Sequence, residues 1–144
     1  MSLVELVAVA AILGVVAAMA LPHFGHATLA NAGARGFART MQLESLRAQR
    51  RAISTGVNHY LKFTLNGPSA TEYALYQRNG GSDVLIGSAH AVPADVTVTP
   101  SASEIEFDFS GQGLAGYTCT IVAPDRNYLL SIVSATGKPI LTEF

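Results

Sequence analysis

Hydrophobic positions are unevenly distributed along the chain, and the first part is almost entirely apolar. The run Leu6–Leu21 is interrupted only by Gly14, and no Asp, Glu, Lys or Arg occurs from Leu6 to Ala34. A membrane-spanning helix needs about 20 apolar residues. Pro22 marks the expected end of the run, so a span of that length begins at the start of the chain.

A helical period continues beyond this apolar run. Apolar positions recur at helical spacing, and arginine and glutamine occupy positions between them. Leu43, Leu46 and Ile53 are expected to widen an apolar face formed by Phe37, Met41, Ala48 and Ala52. One long helix is therefore predicted over residues 2–54, with a break near Gly14-Pro22. Proline cannot donate the helical hydrogen bond, and glycine costs about 1 kcal/mol relative to alanine.

Strict alternation of apolar and polar residues replaces the helical period after Gly56. Candidate strands occupy 57–65, 71–78, 83–86, 96–99, 105–109, 117–123, 128–134 and 139–144, the last as an edge strand. The pattern predicts an α+β fold, in which the long N-terminal helix (1–54) packs on a C-terminal antiparallel β-rich head (55–144). About seven strands are expected, arranged as a sandwich or as layered sheets.

Composition narrows the classes of function. The chain has 144 residues, of which 49% are hydrophobic and 13% charged, against about 25% charged in an average soluble domain. Disorder is therefore excluded, and a freely soluble monomer is disfavoured. The net charge of -1 argues against a generally basic nucleic-acid binder. Cys119 is the single cysteine, which excludes an internal disulfide and a thiolate zinc site.

The charges are segregated along the sequence. Residues 35–51 contain five arginines and one glutamate, whereas residues 52–144 contain four cations and eight carboxylates. The arginines are Arg35, Arg39, Arg47, Arg50 and Arg51. A basic stalk below an acidic head suggests electrostatic contacts between neighbouring subunits, or contacts with anionic lipid headgroups. An ordinary solvated helix face is the alternative.

Glu5 is the one charged residue of the apolar segment. A carboxylate at the centre of a bilayer costs on the order of 3 kcal/mol, and less near its edge, so such residues usually have a partner. The amine of Met1 on the same helix lies about 6 Å away, whereas the amine of an adjacent copy could meet Glu5 directly. A carboxylate that snorkels to the membrane surface is the alternative. A secretory signal peptide is excluded, because no basic residue precedes the apolar run.

The first 22 residues, MSLVELVAVAAILGVVAAMALP, resemble the mature N-terminus of type IV pilins and type II secretion pseudopilins. The resemblance implies that a prepilin peptidase removes a short basic leader and that Met1 is then N-methylated. It also implies a bacterial inner-membrane precursor and a periplasmic or extracellular filament of identical or related pilin subunits, assembled by pilus or secretion machinery. In such a filament Glu5 would pair with a neighbour's terminal amine, and Gly14 and Pro22 would let the helix stretch during assembly. The removed leader would also supply the cytoplasmic charge that the positive-inside rule requires.

Three later segments resemble H-type pseudopilins and FimT-like minor pilins. They are residues 44–56, ESLRAQRRAISTG, residues 105–113, IEFDFSGQG, and residues 134–138, SATGK. The resemblance implies a β-rich head and leaves open whether the chain is a main or a minor subunit. Some FimT-like proteins take part in DNA uptake through a basic C-terminal motif. DNA is an unlikely partner here, because Lys138 is the only cation of that region and Glu143 lies nearby.

Other candidate sites have simpler explanations. Gly111–Gly116 matches G-x-G-x-x-G, but an alternating strand follows it, where a nucleotide site needs a helix. A flexible inter-strand loop is expected instead. His23 and His26 could share a helix face, but no carboxylate or cysteine lies close to them in sequence, so no metal site is predicted. Cys119 is expected to be a small buried side chain rather than a nucleophile.

The sequence thus predicts a non-enzymatic structural subunit of a filament, without cofactor or metal. Two other classes remain open at this level. The first is a low-copy minor subunit at a filament tip, acting in initiation or DNA uptake. The second is a single-span membrane-anchored binding protein or enzyme that does not polymerise.

Overall fold

The computed structural model describes residues 3–20 and 26–144, which form two helices followed by eight strands. The helices are α1 (Leu3–Ala20) and α2 (His26–Thr55). The strands are β1 (His59–Asn66), β2 (Ser69–Gln77), β3 (Val84–Ala91), β4 (Thr97–Pro100), β5 (Glu104–Phe107), β6 (Tyr117–Val122), β7 (Asn127–Ile132) and β8 (Pro139–Glu143).

The helical part agrees with the expected pattern except at the predicted break. Gly14 lies within α1, and α2 ends one residue beyond the predicted boundary. Pro22 lies outside the described residues. The helix continues through Gly14, and a break at Pro22 stays a prediction.

The strands form one antiparallel sheet with the order β5-β1-β2-β4-β6-β7-β8, and β3 also pairs with β2. The expectation of a sandwich or of layered sheets is therefore wrong, and the strand number is eight. Alternation predicts only that each strand has one buried face. It does not say whether a second sheet or a helix covers that face, and here α2 does so.

A row of small side chains lets α2 lie close to the sheet. The row is spaced by three and four residues and is fully buried, and it consists of Ala34, Ala38, Met41, Ser45, Ala48 and Ala52. Ser45 is satisfied within the helix, because its Oγ donates to the carbonyl oxygen of Met41 at 2.9 Å. The sheet side of the core includes Leu61, Phe107 and Ile121, which are also fully buried.

Leu43, Leu46 and Ile53 do not widen this buried face. Leu43 is 64% exposed and Ile53 is 56% exposed, and Leu46 is half-buried. At 100° per residue Leu43 lies opposite the buried row, whereas Leu46 and Ile53 lie on the flank of α2, about 120° and about 100° from that row. Ile53 packs beside Gly111, where an added Cβ would lie 2.6 Å from Ile53 Cδ1. The prediction was wrong because hydrophobicity alone does not show which of two apolar stripes meets the sheet.

Candidate assembly surfaces

The apolar surface of α1 is uncovered. Every side chain described in this helix is exposed, including Leu3 at 81%, Ile12 at 64% and Leu13 at 62%. A helix that is apolar on all faces requires protein or lipid around it, because burial contributes about 25 cal/mol for each Å² of apolar surface. This surface therefore needs a partner from outside the chain.

Glu5 lies in the first turn of α1, and its side chain is exposed. Met1 lies outside the described residues, so its predicted pairing with Glu5 stays a prediction. Within residues 3–20 and 26–144, no helix combines the length and the hydropathy that a membrane span requires.

A second row of side chains follows the solvent side of α2, and we call it the outer row. It repeats at intervals of three and four residues and consists of Arg35, Arg39, Leu43, Leu46, Arg50 and Ile53. All of these except the half-buried Leu46 are exposed. Arg47 and Arg51 flank the row, and Arg47 forms an ion pair with Glu44 at 3.3 Å. A cavity of about 350 Å³ opens between Leu43, Leu46, Arg47, Arg50, Arg51 and Ser54.

The first turns of α2 are attached to the β6–β7 connection by a reciprocal pair of hydrogen bonds. Asn31 Nδ2 donates to Asp125 Oδ2 at 2.9 Å, and the backbone N–H of Asp125 donates to Asn31 Oδ1 at 3.2 Å. A cavity of about 390 Å³ opens beside this contact, and Arg35 and Arg126 contribute to its lining. Asp125 also lines this cavity, and Arg126 pairs with Glu143 at 2.7 Å.

Near its C-terminal end, α2 holds two loops through one side chain. Gln49 Nε2 donates to the carbonyl oxygens of Gly111, at 2.8 Å, and of Thr136, at 2.7 Å. The three segments that resemble H-type pseudopilins therefore meet at this point. This contact joins the end of α2 to two loops of the head.

The same contacts explain the loop Gly111–Gly116. Besides the bond from Gln49, Gly113 N donates to Ser134 O at 3.0 Å, and Leu114 N donates to Glu106 O at 3.0 Å. The following segment is the strand β6, as predicted. Hydrogen bonds join the backbone of this loop to α2 and to neighbouring strands, and its flexibility stays a prediction.

An ionic cluster that sequence reasoning missed lies on the sheet face away from α2. Arg78 binds Asp83 at 3.0 Å and Glu106 at 2.8 Å, and it also contacts Glu104. Its guanidinium lies 4.0 Å from the centre of the Tyr60 ring, a cation–π contact. The partners are separated by up to 28 residues, and no local spacing indicates such a cluster.

The cluster changes the proton affinities of its members. Burial would raise the pKa of Glu106, but hydrogen bonds from Arg78 and Asn58 outweigh it and lower this pKa. The Tyr60 hydroxyl donates to Asp83 at 2.6 Å, and this bond lowers the pKa of the exposed Asp83 carboxyl. Burial, followed by the same bond, raises the pKa of Tyr60. Glu106 and Asp83 therefore stay ionised and paired at neutral pH.

Three further residues were considered for other chemistry, namely His23, His26 and Cys119. His23 lies outside the described residues, and His26 is the first residue of α2. The described part of the chain contains no group of three side chains that could hold a metal. Cys119 is fully buried, and burial raises the pKa of its thiol to about 12. Such a thiol is a structural side chain, as expected from its alternating strand.

Solved structures of two pilin-type proteins share this fold. The type IV minor pilin FimU of Pseudomonas aeruginosa is 17% identical, with a TM-score of 0.62 over 83% of this chain and 92% of that chain. A second crystal form of FimU has a TM-score of 0.61 at 17% identity, over 75% and 91% of the two chains. The minor pseudopilin EpsH of the Vibrio cholerae Type 2 Secretion System is 12% identical, with a TM-score of 0.62 over 77% and 95%.

No protein-family model matches the chain, and no curated protein matches it at the level of sequence. The structural similarity confirms the predicted α+β fold, and it confirms the resemblance to pilins and pseudopilins at the level of the fold. At these identities the likeness concerns architecture, and function has to be argued from surfaces.

Proposed function

We propose that this chain is a non-enzymatic structural subunit of a type IV pilus-like or pseudopilus filament. The observation that carries the proposal is the exposure of the apolar side chains that the structure describes in α1, on a pilin-type head. Packing of several copies of α1 buries this surface. The short side chains Ala8, Ala10 and Ala11 allow close approach of neighbouring helices.

Glu5 sets the axial register in this proposal. In the filament core its carboxylate pairs with the N-terminal amine of Met1 on an adjacent subunit. An unpaired charge in an apolar core is strongly destabilising, by about 3–5 kcal/mol. Only the stagger that brings carboxylate and amine together is therefore populated.

Before assembly the subunit is held in the bacterial inner membrane by its N-terminal segment. A prepilin peptidase removes the basic leader, and the new terminal amine at Met1 is methylated. Support for this step comes from the apolar run Leu6–Leu21 and from the resemblance of the first 22 residues to processed pilins. The assembled filament is periplasmic or extracellular, and the assembly machinery is that of a pilus or a secretion system.

A low-copy minor subunit at the filament tip is the second candidate. It is favoured by the identity of the two similar proteins, which are a minor pilin and a minor pseudopilin. Such a subunit would act in initiation or in DNA uptake. DNA uptake is the less favoured of the two, because the head carries more carboxylates than cations. A membrane-anchored binding protein that never polymerises is the third candidate.

Two measurements on the same sample separate these functions. Electron microscopy of sheared surface material shows whether the chain occurs in filaments, and immunogold labelling shows whether it lies along them or only at their ends. Mass spectrometry of the N-terminal peptide shows whether Met1 is the processed and methylated first residue. A permanently monomeric chain with an uncleaved leader would contradict the proposal.

A further inference from the structure

The outer row of α2 combines cations with exposed apolar side chains. Leu43 and Ile53 are 64% and 56% exposed. Arg39 lies one turn before Leu43, and Arg50 lies one turn before Ile53. The row contains no acidic residue, because Glu44 lies beside it and is paired with Arg47. A helix face that only met water would carry polar residues at the leucine and isoleucine positions. The row therefore fits a partner with negative charge above an apolar layer.

A second copy of the chain is a poor match for this surface. The most concentrated group of carboxylates on that second copy is the cluster around its Arg78. The oxygens of this cluster already accept hydrogen bonds from Arg78, Tyr60 and Asn58. Pairing of two α2 helices through their outer rows would place arginine against arginine, which is repulsive.

An anionic phospholipid surface supplies both requirements. Its phosphates accept hydrogen bonds from guanidinium groups, while aliphatic side chains on the same helix face enter the boundary between headgroups and acyl chains. Arginine side chains reach upward to the phosphates and leave their aliphatic stems in the apolar layer. The segment from Arg35 to Ile53 provides a contact about 27 Å long.

We infer that the outer row is a docking surface for an anionic phospholipid leaflet. Arg35, Arg39 and Arg50 bind headgroup phosphates, and Leu43 and Ile53 enter the interface. The unassembled head thus lies on the membrane with α2 against the lipid and the sheet facing away. The inference deepens the proposed function, on which it rests for the anchoring of the chain through its N-terminal segment.

Fluorescence at two matched positions of the full chain tests this inference. Leu43→Cys places an environment-sensitive label in the outer row. Thr97→Cys places the same label on the opposite sheet face, because Thr97 is exposed while the next residue, Val98, is buried toward α2. The natural Cys119 is fully buried and stays unlabelled in the folded chain. Both variants are reconstituted into vesicles of phosphatidylcholine, with or without phosphatidylglycerol.

The label at position 43 is expected to shift to the blue and to be quenched by a lipid-borne quencher only when phosphatidylglycerol is present. The label at position 97 is expected to show neither change. High salt should reverse the signal, because it screens exposed charges. Arg39→Gln combined with Arg50→Gln should lower the ratio of docked to undocked heads about 25-fold at low salt, since each arginine near an anionic surface contributes about five-fold.

Three outcomes would overturn the inference. The first is that the label at position 43 shows the same blue shift and quenching in pure phosphatidylcholine as in vesicles with phosphatidylglycerol. The second is that the labels at positions 43 and 97 show the same changes. The signal could also follow the protein-to-lipid ratio rather than phosphatidylglycerol, and a second copy would then cover the outer row. Flotation with pure phosphatidylcholine vesicles reports the anchoring separately. A chain that does not float contradicts the proposed anchoring, while the dependence of the position-43 signal on phosphatidylglycerol still decides the role of the outer row.

Discussion

Gln49 and Gly111 form the contact that fixes the end of α2 to the head. The Gln49 side-chain amide donates to the Gly111 carbonyl at 2.8 Å and to that of Thr136 at 2.7 Å. The two loops that carry these carbonyls follow β5 and β7, so one helical side chain holds segments that are distant in sequence. The close approach of the two loops depends on a position without a side chain, Gly137.

Gly137→Ala is expected to destabilise the head strongly. A Cβ at this position would lie 2.0 Å from the carbonyl oxygen of Gly111, and the backbone φ is +62°. Gly67→Ala is the matched control, because Gly67 has a φ of +64° with open space around it. We expect the control to cost about 1 kcal/mol, and Gly137→Ala to cost about 1–3 kcal/mol more. Urea unfolding followed by circular dichroism measures both, and equal losses would show that the loops separate without cost.

The buried row of α2 predicts a second pair of variants. Ala48 is fully buried against the sheet, whereas Ala32 is exposed on the same helix. Ala48→Leu should lower the free energy of unfolding by about 1–3 kcal/mol, because the added atoms force the helix and the sheet apart. Ala32→Leu should change it by less than about 0.5 kcal/mol. Thermal unfolding distinguishes the two, and a harmless Ala48→Leu would mean that the helix is not in close contact with the sheet.

The Arg78 cluster predicts a loss of stability in acid. The pKa values of Glu106 and Asp83 are lowered in the folded chain. Their stabilisation is therefore complete above the ordinary carboxyl pKa of about 4 and is lost as the pH falls through the lowered folded-state values. The melting temperature should decrease over this range by a few degrees more than the remaining carboxylates explain. Arg78→Gln is the control.

In Arg78→Gln the carboxylates lose their cation, so the melting temperature at neutral pH should be lower and its decrease in acid smaller. Melting curves of both proteins between neutral pH and about pH 2 provide the comparison. Parallel pH profiles of the two proteins would assign the acid sensitivity to other groups.

Glu5→Leu tests the proposed register of assembly. The substitution removes the carboxylate and leaves α1 apolar, so subunits should still enter the membrane but filament yield should fall at least about ten-fold, as expected for the loss of a buried ion pair. Glu44→Gln is the control, since Glu44 pairs with Arg47 within α2 and lies outside α1. Sheared filaments and membrane fractions are compared by immunoblot. A normal filament yield from Glu5→Leu would refute the pairing role of Glu5.

The sequence was sufficient to predict the order of elements. Unbroken apolar character indicates α1, a 3.6-residue period indicates α2, and alternation with Asn-Gly turns locates most strand ends to within about two residues. The exception is β3, which was predicted to end at Ile86 and continues to Ala91. The strands of β6 and β7 show the alternation best, because their buried residues, such as Cys119, Ile121 and Leu130, occupy every second position. These features depend on local chain geometry, which the sequence encodes directly.

The candidate surfaces could be predicted only in part. The five arginines were evident as a cluster, but Leu43, Leu46 and Ile53 were assigned to the wrong face of the same helix. Two apolar rows with equal spacing cannot be distinguished from the sequence, because the sequence does not show which of them packs on the sheet. The smaller side chains of the row that includes Ala48 permit the closer approach, and the leucines remain outside.

What the sequence by itself determined is the division into an apolar helix, a basic helix and an alternating β head, because each depends on periods within a few residues. Only the tertiary structure decided that the eight strands form one sheet. It also decided that Gln49 joins two distant loops and that Arg78 forms ion pairs with three carboxylates. These contacts join residues separated by up to 87 positions. Their formation depends on packing across the whole head, which no local pattern encodes.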